Sequence, residues 1–241
     1  MLPPAGPPPL SIAAPGRRAA ARAAALMLFA AAAAPARGQQ QGARAALFTA
    51  IVRDDPGGLR TALLRGADAN APDELGVPPI VAAAREKSWK ALRALAELGG
   101  TRLDAANPEG STALMYAALH GELPMVRYLV SRKAEVNREG WTPLHFAAAN
   151  GHVEVIRFLL EQHAYIDAES PNRTTPLMMA ARQAHPTVVR LLVEEGADPT
   201  PRNEAGYTAA AYARAAGDPE LGAWLLGQAE AFRRRYPGPR S

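Results

Sequence analysis

The chain has 241 residues, 48% hydrophobic and 21% charged, with 22 Pro, 20 Gly and no Cys. That length supports a sizeable core, and the missing cysteine excludes structural disulfides, thiolate metal sites and cysteine nucleophiles while leaving the compartment open. The net charge of +4 sits at the ends: residues 1–38 hold Arg17, Arg18, Arg22 and Arg37 and no acid, residues 233–241 hold Arg233, Arg234, Arg235 and Arg240, and residues 39–232 carry 19 Lys and Arg against 23 Asp and Glu. A body of that sign lacks the footprint that phosphate backbones require, so nucleic acid is excluded as the expected partner.

Residues 1–38 read as a cleaved secretory signal peptide of bacterial type. Arg17, Arg18 and Arg22 precede an uncharged run from Ala23 to Ala34, and Ala36-Arg37-Gly38 offers a small-residue cleavage site before Gln39. Ala34-Pro35-Ala36 is a second site, with cleavage before Arg37. The run is shorter than the roughly 20 residues that a membrane span needs, so a retained anchor is the weaker reading. The expectation is a periplasmic or secreted protein with no integral membrane span after cleavage.

The rest of the chain repeats itself. Thr142-Pro143-Leu144-His145, Thr175-Pro176-Leu177-Met178 and Thr208-Ala209-Ala210-Ala211 recur every 33 residues, with Ser111-Thr112-Ala113-Leu114 and Val77-Pro78-Pro79-Ile80 upstream. Each unit continues with a small-residue run such as Ala147-Ala148-Ala149-Asn150-Gly151-His152, then an apolar one such as Val155-Ile156-Arg157-Phe158-Leu159-Leu160. The units close on Gly66-Ala67-Asp68-Ala69-Asn70, Lys133-Ala134-Glu135-Val136-Asn137 or Gly196-Ala197-Asp198. On these residues the chain resembles the ankyrin repeat family, whose 33-residue T-P-L-H-x-A unit is best preserved at Thr142 to Ala147. The resemblance implies an all-α solenoid of about six helix-turn-helix units with short β-hairpin or turn fingers. The units fall at about 43–72, 73–107, 108–137, 138–170, 171–203 and 204–232, within a repeat domain over 39–232 and before a basic Pro/Gly tail at 233–241.

Local chemistry agrees with that pattern. Thr142 can cap a first helix with Pro143 in its first turn, and Ala147 and Ala148 let the paired helices approach. Val155, Ile156, Leu159 and Leu160 form a stripe that a neighbouring unit must cover. Pro124, Pro186 and Pro219 open second helices, while Gly66, Gly99 and Gly196 are expected in the left-handed position just after them. Lys133 and His163 take that position in two units, at about 1 kcal/mol each. Two departures stand out. The 30-residue step from Thr112 to Thr142 removes three residues between Asn137 and Gly140, which predicts a stubby finger there. Arg173 stands where Gly76, Gly110, Gly140 and Gly206 stand in their units, which predicts a locally different turn.

No residue set points to catalysis. His120, His145, His152, His163 and His185 have no zinc-helix spacing, and there is no nucleophile elbow, phosphate loop or dinucleotide fingerprint. His145 and His152 read as parts of the repeat framework. No catalytic residue, metal ligand or cofactor is assigned. The resemblance implies instead a concave binding face of finger tips and exposed first-helix positions. The repeat register puts Arg85, Leu119, His120, Arg138, Trp141, Asn150, Arg182, Gln183 and Tyr207 there, together with Ser111 and Thr174. Trp141, Arg182 and Tyr207 are the preferred anchors, because Trp, Tyr and Arg dominate protein interfaces; Trp141 could equally pack on the next finger. Leu221, Trp224, Leu225, Gln228 and Phe232 lie at helical spacing, so a longer last helix should cover the end of the stack, with Arg233 to Arg235 at its C-terminus. The expectation is a monomeric, non-catalytic adaptor or regulator binding a protein partner; the alternative is a scaffold attached to a membrane surface through the leader or the tail.

Overall fold

A computed structural model describes residues 37–237. The leader lies outside the described residues except for Arg37 and Gly38, which open the first helix, and the tail is described as far as Pro237.

The described chain is a row of six helix pairs. The first helices are α1 (Arg37–Val52), α3 (Pro79–Arg85), α5 (Ala113–Leu119), α7 (Pro143–Ala149), α9 (Pro176–Arg182) and α11 (Ala209–Ala215). The second helices are α2 (Pro56–Leu64), α4 (Trp89–Glu97), α6 (Leu123–Ser131), α8 (Val153–Glu161), α10 (Pro186–Glu194) and α12 (Pro219–Arg235). Helices of seven to nine residues are too short to persist alone, so each is held by burial against its neighbours. Ala117, Ala118, Ala147, Ala148, Ala180 and Ala181 are fully buried where first helices meet, as are Leu92, Leu129, Leu159 and Leu192 on the second helices. Alanine brings the first helices closer together than the second helices come, which bends the stack with the first-helix row on the inside. The longer terminal helices close its ends. α12 buries Leu221 and Leu225 against α11 and half-buries Trp224, Gln228 and Phe232, as their spacing implied.

The caps follow the threonines. Thr112, Thr175 and Thr208 each accept the amide N–H three residues on, and Pro143 and Pro176 occupy first turns. Behind the caps, one Asx side chain ties a unit to the next at each of the first four junctions. Asn70 accepts from the Arg102 amide (2.9 Å), Asp104 from Glu135 (2.8 Å), Asn137 from Tyr165 (2.8 Å) and Asp167 from Asp198 (3.0 Å).

The fingers are turns. Among the described residues their only bridge is an isolated antiparallel one between Ala106 and Thr112. At Asp73, Asn107, Ser170 and Asn203 the backbone N–H donates to the carbonyl four residues on, and the same residue's side chain accepts that residue's amide. Those anchors lie three residues after Asn70, Asp104 and Asp167 in the corresponding loops. The three-residue deletion before Thr142 therefore merges the two Asx positions into Asn137. Asn137 stays with the inter-unit tie, accepting from Tyr165 and donating to the His163 carbonyl (2.8 Å). No residue remains to anchor a turn, and the finger is short, as the spacing predicts.

Two local expectations are corrected. Arg173 does not change its finger: it adopts φ 59°, keeps the Ser170-to-Thr174 bond and donates its amide to the Ser170 carbonyl (2.7 Å). Its guanidinium reaches Glu169 (3.2 Å), which accompanies the unusual backbone. Gly99 is not left-handed. α4 ends in an extended Leu98, and the Thr101 hydroxyl donates to the Leu95 carbonyl (2.7 Å), so a side chain satisfies the helix end that a left-handed glycine would otherwise serve. Gly66, Gly196, Lys133 and His163 are left-handed, as their positions imply.

Candidate functional site

The inner surface is built from the ends of the first helices and the fingers that precede them. Its centre is Trp141, half-buried and edge-on to the His145 ring with centroids 5.2 Å apart and 6.4 Å from Phe146. Trp141 thus packs within its own unit, on His145 and Phe146, rather than on the next finger, and stays half exposed. Tyr207 is exposed and stacks on Tyr212 at 5.2 Å. Arg85, Asn150, Arg182 and Gln183 are exposed at first-helix C-termini. Arg85 pairs with Glu86 (3.2 Å), and Asn150 donates to the Phe146 carbonyl (3.0 Å). Leu119 is half-buried, and its carbonyl is taken by a histidine of the next unit. Thr174, placed on this face by register, is instead buried, with its carbonyl bonded to His145.

Sequence reasoning missed a row of large side chains. Tyr116, Phe146, Met179 and Tyr212, each four residues after the capping position, are all half-buried on the inner side. Their signal was present in the register, a large residue at one position flanked by alanines, but an apolar residue there reads as core. The finger asparagines fix two of them, since Asn107 donates to the Tyr116 hydroxyl (3.3 Å) and Asn203 to that of Tyr212 (2.7 Å). The short finger precedes Trp141 and Phe146. There Arg138 is half-buried and has a buried Nη1 with no hydrogen-bond partner among the described residues.

Three histidines, His145, His152 and His185, are framework. The Thr142 amide donates to His145 Nδ1 (3.2 Å), so that nitrogen is an acceptor, and Nε2–H donates to the Thr174 carbonyl (2.9 Å). The ring is neutral in this arrangement, and burial holds its pKa at about 4, below the usual 6.5. His152 Nε2–H donates to the Leu119 carbonyl (2.9 Å) and that of His185 to Ala149 (3.0 Å), each reaching back one unit. His120 lies between Trp89 and Tyr116, with centroids at 6.1 and 6.5 Å, and burial together with nearby Lys87 lowers its pKa. Among the described residues no three His, Asp or Glu side chains gather as a metal site. A cleft of about 620 Å³ lies between the loops of the first two units, lined by Asn70, Pro72, Gly76, Arg102 and Asp104. Among the described residues no helix is long and apolar enough to cross a membrane.

No curated protein matches the chain. A family model of ankyrin repeats in three copies matches it in overlapping segments, at residues 47–139, 80–170, 131–203 and 163–233. Together these cover residues 47–233, and the chain belongs to the ankyrin repeat family.

Proposed function

We propose that this ankyrin repeat chain is a non-catalytic adaptor or regulator of the cell envelope that holds a protein partner on its concave face. The repeats themselves suggest a protein-interaction module. The observation that carries the finer reading is the row of half-buried rings around Trp141, beside the half-buried Arg138 of the short finger. Such a surface supplies apolar area in fixed orientation and loses little entropy on docking. The envelope assignment rests on the leader at residues 1–38.

The test is a pull-down from an envelope fraction of the native host with residues 39–241, beside the Trp141→Ala, Arg182→Ala, Tyr207→Ala triple variant. A partner captured by the first and lost by the second, with both chains showing the same cooperative melt, supports the reading. Equal capture by both rejects the face.

A further inference from the structure

The outer row of helices is electrically polarised along the stack. On α2, α4 and α6 and the turns that end them, Arg60, Lys90, Arg93, Arg127, Arg132 and Lys133 are exposed, and none pairs with a carboxylate among the described residues. Opposing them on the helices or their N-caps are Glu97 on α4, the half-buried Glu122 before α6 and Asp55, whose side chain caps α2 by accepting the Gly57 amide. On α8, α10 and the first turn of α12 the sign reverses, with Glu154, Glu161, Glu194, Glu195 and Glu220 all exposed. The cations in that half are Arg157, which pairs with Glu195 at 3.6 Å, and Arg190, which lies over the Trp224 ring at 4.7 Å. Arg233 to Arg235 lie beyond this strip, on the part of α12 that outruns the nine-residue second helices.

The basic half is also ordered. Arg93 stands over the Tyr128 ring at 4.1 Å and Arg127 over Phe158 at 4.4 Å, each one unit further along. Guanidiniums held this way lose less freedom when they meet an anion. A flat anionic surface would face the acidic half at the same time, so the polarity does not suit a membrane. It suits a body bearing the opposite polarity, and a second copy turned end for end is one. A two-fold axis between α6 and α8 sets α6 against α8 of the other copy and α4 against its α10, which satisfies both halves with one contact.

We propose that the chain pairs with a second copy of itself, antiparallel, through its outer face, basic α4 and α6 against acidic α8 and α10. This departs from the monomer expected from sequence, and it is independent of the concave-face reading because it uses the opposite side of the stack. Two convex faces touch mainly at the central units, so the pair is weak and salt-sensitive.

Sedimentation velocity on the full chain tests it, at about 50 mM and about 500 mM salt. The expected result is a concentration-dependent monomer–dimer equilibrium at low salt that shifts to monomer at high salt. Reversing one half, in R127E/R132E or in E154R/E161R, should weaken pairing at least about tenfold. Mixing those two variants, or combining all four substitutions in one chain, should restore it, which a merely misfolded variant could not do. A chain that stays monomeric at low salt up to about 100 μM, a dimer indifferent to either reversal, or failure of both rescues would overturn the proposal. So would a monomer that binds vesicles of anionic phospholipid through the same arginines.

Discussion

The inner and outer rows are cut from one repeat but hold their neighbours by different means. Inner helices meet through fully buried alanines and share their end turns with histidines of the next unit. Outer helices meet through long side chains, Arg93 on Tyr128 and Arg127 on Phe158, whose ends can shift. Close-packed small groups leave no room to relax, whereas arginine stems do. The inner row therefore sets the spacing of the stack, and the candidate binding surface stands on its stiffer side.

The comparison is broken most severely at Gly121. It has φ 69°, and a Cβ there would lie 2.5 Å from His152 Nδ1. Gly121→Ala should cost about 3 kcal/mol in a denaturant titration, combining left-handed strain with overpacking. Gly217, at φ 90° with nothing within 4 Å of such a Cβ, isolates the backbone share, and Gly217→Ala should cost only about 1 kcal/mol.

Acid reaches the inner row through His145. An unfolded histidine titrates near 6.5 and this one at about 4, so between those values the unfolded chain holds more protons and stability falls as pH falls. The full window is worth on the order of 3 kcal/mol. Asp167 acts oppositely. Burial raises its carboxyl from 3.8 to about 6, so the folded chain holds the extra proton and its share of stability falls as pH rises through that window. Asp167→Asn keeps an acceptor for the Asp198 amide and removes this opposition. Thermal melts from pH 7 to pH 4 should fall more steeply in the variant than in the parent chain; parallel curves would show that the two groups do not oppose each other.

Outer-row changes should be milder. Arg127→Ala removes one ring contact and should cost about 1 kcal/mol by the same titration. The smallest effect is expected at Ala184, which has φ 57° in the turn where Gly121 and Gly151 stand in their units. Ala184→Gly should raise stability by about 0.5 kcal/mol, the relief of strain being partly offset by unfolded-chain entropy.

That turn shows what the sequence can and cannot convey. Threonine caps, prolines in first turns and alanine runs are local signals, so the helix pairs and their order were legible from residues alone. The need for glycine at Gly121 and Gly151 was not, because its cause lies one unit away: a Cβ at either would meet His152 or His185 of the next unit, whereas Gly217 in the last unit meets nothing within 4 Å. Gly99 was misread for a similar reason, since the hydroxyl that replaces its role comes from Thr101 after the helix has ended. For the candidate surface, register placed Trp141, Tyr207 and Arg182 at half-buried or exposed positions, as the structure has them. It passed over Tyr116, Phe146, Met179 and Tyr212, whose partial exposure depends on how far the fingers project. The merged role of Asn137 needed the hydrogen bonds to be seen at all.

The claim that the inner face is the recognition surface is tested most directly by hydrogen–deuterium exchange on the full chain, free and bound to the partner captured in the pull-down. The account predicts added protection on α5, α7, α9 and α11 and on the fingers around residues 107–111, 138–141 and 203–207, with the outer helices unchanged. Protection confined to α4, α6, α8 and α10 would contradict it.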